Sequence, residues 1–172
     1  MMRPLGAARL GMATALAGVF ACTSITTAAA TDTGTAPARD KAKVITVIGK
    51  LAEQTRFPVN PEGPAAQGDR TAFRSDLYDL DDKKIGETAG TCTTTRADLA
   101  TGGAEVCVVT YTLPGGQLAV QGMVFGHLNP GPPPSFDNAI TGGTGQYDRA
   151  RGSIHADTIG MGQRRFTITI KP

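Results

Sequence analysis

The side chains best able to do chemistry in this chain are two cysteines, two histidines and a few hydroxyls and aromatics set among β-branched residues. Cys92 lies in the stretch Ile85 to Arg96 and Cys107 in Ala104 to Leu113. If these stretches form a hairpin turning at Asp98-Leu99-Ala100-Thr101, Cys92 faces Cys107, Thr94 faces Glu105 and Arg96 faces Gly103. Opposed residues at a non-hydrogen-bonded site stand about 4.5 Å apart at Cα, within the roughly 4.4–6.8 Å that a disulfide spans. A cross-strand disulfide is therefore feasible. Its rival is a free thiol inside the barrel, with Cys92 doing chemistry. His127 and His155 lack metal-ligand spacing and a neighbouring carboxylate pair, so no metal and no cofactor is expected. There is no G-x-S-x-G elbow. Gly142-Gly143-Thr144-Gly145 lacks the Lys-Ser/Thr and the helix of a phosphate loop, and reads as a hairpin turn. Arg149 and Arg151 read as surface ion pairs, with a guanidinium gripping an anion or carbonyl as the alternative. Phe73, Tyr111 and Phe125 are candidates for the wall of a ligand site.

The elements that must position these groups are strands. Val44 to Ile48 is β-branched throughout and apolar on both sides. Glu53 to Gln67, with three prolines, reads as a long loop and a candidate lid. Strands follow at Gly68 to Asp79, Ile85 to Arg96, Ala104 to Leu113, Gln117 to Phe125, Ser135 to Thr141, Gln146 to Arg151, Ser153 to Ile159 and Arg165 to Ile170. Gly126 to Pro134 is a second proline-rich loop. The last strand alternates most cleanly, with Phe166, Ile168 and Ile170 on one side. No convincing 3.6-residue period occurs in this region. Eight or nine short strands joined by Gly/Pro turns indicate an all-β fold. Sequential connections favour a closed up-and-down antiparallel barrel, calycin-like in shape, which leaves no exposed edge.

Composition bounds the rest. The chain has 172 residues, 40% of them hydrophobic, 22 glycines, no tryptophan and a formal charge of +2. That fits one globular domain. Arg3 and Arg9 precede a short apolar run from Leu10 to Cys22, and small residues lead to Ala28-Ala29-Ala30. This is the layout of a secretory signal peptide over residues 1–30, too short and too rich in small residues to span a membrane stably. Residues 31–41 read as a disordered lead-in, and 42–172 as a single β-barrel domain. Of the 17 basic residues, two leave with the signal, against 15 acidic residues that all remain. The mature chain is then formally neutral, which argues against a nucleic-acid face and a polybasic membrane anchor. Export takes Cys22 away and favours pairing of Cys92 with Cys107.

Three ordered stretches resemble the allene oxide cyclases. These are Gly68-Asp69 through Phe73, Leu77-Tyr78 and Lys84-Ile85-Gly86 to Thr88-Ala89-Gly90-x-Cys92; Gly116 to Gly122 (GQLAVQG); and Ala139 to Tyr147 (AITGGTGQY). The run Gly142 to Gly152 is similar to the dirigent proteins. The resemblance covers Lys43 to the C-terminus. It implies an eight-stranded antiparallel barrel with a hydrophobic cavity, often trimeric, in which Cys92 and Phe73 match cavity residues. The family's first-strand glutamate falls at Gly49 or Lys50, its asparagine at Ser75 and a cavity tyrosine at Val124. Allene oxide cyclase activity itself is therefore not expected.

The reading is a secreted barrel that binds a small apolar molecule and steers its cyclisation or coupling by conformational control, without a redox cofactor. Ser75 and Cys92 would orient an oxygen, and Phe73, Tyr111 and Phe125 would shape the wall. The alternative is a non-catalytic, lipocalin-like carrier of a hydrophobic ligand. A barrel filled by its own side chains and acting through its surface is a third reading. The strand holding Val106 and Val108 is apolar on both faces, which calls for an outside partner and predicts a homo-oligomer, a trimer or dimer.

Overall fold

The computed structural model describes residues 41–171. The expected signal peptide (1–30) and all of the lead-in but Lys41 lie outside the described residues. Eight strands follow in chain order: β1 (Lys43–Phe57), β2 (Arg70–Tyr78), β3 (Lys84–Arg96), β4 (Ala104–Leu113), β5 (Gly116–Phe125), β6 (Phe136–Gly143), β7 (Arg151–Gly160) and β8 (Gln163–Lys171). Each pairs antiparallel with the next, and β8 pairs with β1 to close the barrel. This is the all-β barrel expected from the sequence.

Period-two alternation divides the wall into two faces. On β4, Cys107, Val109, Tyr111 and Leu113 are buried, whereas Val108 and Thr110 face solvent. The end of the barrel that carries the β4–β5 turn is packed solid. Val47, Leu77, Leu118, Val120, Ile154 and Ile168 interlock there with almost no exposure. Tyr147 plugs the bottom, and its hydroxyl donates to the Pro114 carbonyl at 3.1 Å.

The structure departs from the sequence reading in four places. First, β1 does not stop before Glu53 but continues to Phe57, pairing Gln54–Phe57 with Arg70–Phe73. A bulge at Ala52 interrupts the register between Leu51 and Glu53. Leu51, Gln54 and Arg56 therefore share the inner face opposite Ser75, Phe73 and Thr71. This half of β1 is polar on both sides because one side faces water and the other a hollow mouth, so no apolar alternation marks it. Second, Gly145–Tyr147 is a 3-10 turn and not a strand, which reduces nine candidate strands to eight. Third, Gly142 and Gly143 extend β6, and within that glycine run only Gly145 has a positive φ, 61°. Fourth, Arg96 pairs with Ala104 and not Gly103, because the register shifts after Thr94. Asp98 then caps the 3-10 turn Leu99–Thr101, its Oδ1 accepting from the Thr101 amide at 2.9 Å.

Candidate functional site

Above the packed floor the barrel is hollow. A cavity of about 630 Å³ opens at the end that carries the β1–β2, β5–β6 and β7–β8 connections. This is the size range of small-molecule sites. A barrel filled by its own side chains, the third reading, does not fit that hollow.

Both proline-rich segments border this one mouth, since Pro58, Pro61, Pro64 and Pro133 line the cavity. They are pinned by polar contacts. Asp69 accepts from the amides of Val59 at 2.7 Å and Ala66 at 2.9 Å. Those amides hold its carboxyl below the usual carboxylate range, the Ala66 bond contributing most. In the second segment, Leu128 N donates to the Gly102 carbonyl at 2.9 Å, and the Thr158 hydroxyl donates to the Pro133 carbonyl at 2.6 Å. The expected lid thus borders the mouth as a collar tied down by these hydrogen bonds.

The structure brings four of the five expected site residues together. Phe73, Ser75, Cys92 and Tyr111 all line the cavity. Tyr111 meets Phe166 edge-on with ring centroids 5.3 Å apart, giving an aromatic wall. Burial pushes the Tyr111 phenol well up, so it remains a neutral hydroxyl. The Thr88 hydroxyl, across the ladder from Tyr111, is close enough to oppose that rise slightly. That hydroxyl is buried and has no hydrogen-bond partner.

Phe125 is a correction. It is 58% exposed on the outer wall, with the Arg96 guanidinium 6.0 Å from its ring. The alternation of β5 turns Val124 inward in its place. Cys92 is a second correction, as a thiol. It is bonded to Cys107 directly across the β3–β4 ladder, with Cα atoms 4.0 Å apart. Both half-cystines line the cavity, but neither offers a nucleophilic thiolate. The Glu105 carboxylate lies within 4.8 Å of the two sulfurs. With the sulfurs bonded to each other, this trio presents one carboxylate and not a metal-ligand set. The two arginines singled out from the sequence lie elsewhere: Arg149 pairs with Asp148, and Arg151 donates to the carbonyls of Thr141 and Ala150.

The cavity is more polar than expected from the sequence. Glu105, Asn138, Arg164 and His127 line it too. Burial raises the Glu105 carboxyl, and the charges of Arg164 and Arg56 pull it back down. Burial lowers the Arg164 guanidinium and the His127 imidazole. His127 Nε2 lies 3.3 Å from the Thr94 hydroxyl. Three of the four sit on inward-facing strand positions, and His127 on the loop after β5. Stepping back by twos from Tyr111, Ile140 and Ile168 leads to Glu105, Asn138 and Arg164. A carboxylate at Gly49 would not fit, because even a Cβ there would collide with the Phe166 ring. The cavity carboxylate comes from β4 instead.

Residues 51–170 match the family described as the allene oxide cyclase barrel-like domain. No curated protein matches at a significant level. Several solved structures share the fold. A pyocyanin demethylase is 23% identical, with a TM-score of 0.61, over 74% of this chain and 99% of that one. A pterocarpan synthase dirigent protein is 17% identical, with a TM-score of 0.56, over 76% and 85%. A Diels–Alderase from Streptomyces koyangensis is 15% identical, with a TM-score of 0.58, over 77% and 70%. At these identities the likeness is one of fold.

Proposed function

The chain belongs to the allene oxide cyclase barrel-like family, and from that premise we propose that it holds one small organic molecule in its barrel and steers that molecule's cyclisation or coupling. The observation that carries the proposal is the hollow half of the barrel, with a rigid floor below and a fixed collar above. Solved structures of this fold include a Diels–Alderase and a pterocarpan synthase dirigent protein, which supports a ring-forming or coupling role. A cavity of this kind restricts a flexible, reactive chain to one folded conformer, so that the reacting atoms are already close. Phe73, Tyr111 and Phe166 would hold the apolar body of the ligand. The Ser75 hydroxyl and the neutral Tyr111 phenol would orient an oxygen by hydrogen bonds. Chemistry through the Cys92 thiol is not part of the reading, because the sulfur is bridged.

The test is direct. Native protein is denatured, its organic extract is analysed by mass spectrometry, and the molecule found or its open-chain precursor is returned to fresh protein. A single ring isomer formed faster than in buffer supports the proposal. A bound molecule released unchanged identifies a carrier. Failure to bind any molecule would overturn both readings.

Export is proposed with it. The charged start, apolar run and A-x-A exit of residues 1–30 support it, and so does a disulfide, a bond that persists in oxidising compartments. Self-association is proposed through the outer wall of β4 and β5. Val108, Met123 and Phe125 are exposed there on one continuous face.

A further inference from the structure

Three cavity groups have more hydrogen-bonding capacity than the protein uses. Arg164 sits in the cavity wall with its guanidinium 4.9 Å over the Phe136 ring and a single 3.4 Å hydrogen bond, to the Pro134 carbonyl. A guanidinium carries five N–H donors, so most of its donors are open. Among the described residues it forms no ion pair, although its charge acts on both Tyr111 and Glu105. Asn138 is 5% exposed, and its Oδ1 has no partner. Gly122 makes room for that amide, since any Cβ there would collide with it. Glu105 likewise faces the cavity without an ion pair among the described residues. The half-buried Arg164 and Glu105 thus leave charged groups open to the hollow, where an entering molecule meets them.

We propose that Arg164 forms an anion subsite in this cavity, so that the ligand is an organic acid. Such a ligand carries a carboxylate, sulfonate or acidic enol on a planar apolar body. The guanidinium lies over the Phe136 ring, and its planar fork of donors suits two-pronged recognition of a planar anion. Phe73, Tyr111 and Phe166 supply flat walls for the body. Glu105 tunes the site. As a carboxylate it repels the anion, and as a carboxylic acid it donates to it. The inference rests on the small-molecule reading of the cavity and narrows its chemistry.

Two fluorescent probes with the same body separate the two ideas: 8-anilino-1-naphthalenesulfonate, an anion, and N-phenyl-1-naphthylamine, its neutral counterpart. Both are titrated into full-length mature protein and its variants, with circular dichroism as the check on folding. The anion is expected to bind at least about tenfold tighter than the neutral probe, the scale of one charge-assisted contact. Arg164→Gln should remove that preference and leave the neutral probe's affinity unchanged. Glu105→Gln should move the other way, tightening the anion at neutral pH. Equal binding of both probes by the wild type, or an anion preference that survives Arg164→Gln, overturns the anion subsite alone. Failure of both probes to bind overturns the small-molecule reading of the cavity and the subsite with it. If Arg164→Gln fails to fold, the opposite-signed Glu105→Gln result decides.

Discussion

At the residue scale, the two histidines sit in opposite environments. His155 lies on the outer wall between two carboxylates, its Nδ1 2.9 Å from Asp137 and its Nε2 3.1 Å from Asp157. Hydrogen bonding to Asp137 and then to Asp157 raises its pKa above 6.5, whereas burial lowers that of His127 below it. The stability each contributes follows with opposite signs. The contribution of His155 is fully present below the unfolded pKa and is lost as pH rises through the folded one. Protonating His127 opposes folding, so stability falls as pH drops below the unfolded value and on through the folded one. A proton NMR titration should therefore give two separated midpoints, the upper belonging to His155. Asp137→Asn should lower that upper midpoint and leave the other in place. Coincident midpoints would contradict the contacts described for both rings.

At the element scale, the Cys92–Cys107 bridge ties β3 to β4 in the wall of the cavity and closes a loop of sequence separation 15. Losing it through Cys92→Ala/Cys107→Ala should cost about 2–4 kcal/mol of unfolding free energy, read as a lower denaturation midpoint at similar m-value. If the pair were reduced in the native protein, the double variant would denature like the wild type. This bridge was legible in the sequence because both cysteines fall in strands whose register a single hairpin sets. Most of the other strands were legible for the same reason, through β-branched runs between Gly/Pro turns. The far half of β1 was not, since Glu53, Gln54, Thr55 and Arg56 border water or a hollow and carry no apolar alternation. The orientation of Phe125 was lost at the opposite extreme, because Val124 and Phe125 are both apolar and composition cannot choose between them. Glu105, Asn138 and Arg164 were hidden by their polarity, which makes an inward position look like a surface one.

At the scale of the whole molecule, the barrel has two halves with different tolerances. Leu118 has 0% exposure in the packed floor, whereas Phe73 borders the hollow. Leu118→Ala opens a new void and should cost about 2–5 kcal/mol. Phe73→Ala enlarges an existing space and should cost clearly less, while weakening ligand binding more. Thermal unfolding paired with ligand titration checks both, and equal destabilisation by the two would contradict the division. Assembly is tested at the same scale. Light scattering at micromolar concentration should give a mass above that of one chain, and Val108→Lys/Met123→Lys should reduce it to one.

The bulge at Ala52 has a consequence of its own. β1 is read by its neighbours two residues at a time, and the extra residue acts like a frameshift in that reading. Ahead of it the inward set is Val47, Gly49 and Leu51; after it the set is Gln54 and Arg56. Deleting Ala52 would remove the extra residue and leave Gln54 and Arg56 inward, because every pair on either side of it is kept. Were β1 instead to keep Ala52 and run through this point without a bulge, regular alternation would carry Glu53 and Thr55 inward and turn Gln54 and Arg56 out to water. The mouth would then exchange a cation for an anion without a single side chain being changed. The bulge, rather than any substitution, is thus what decides which of two sets of side chains meets the guest.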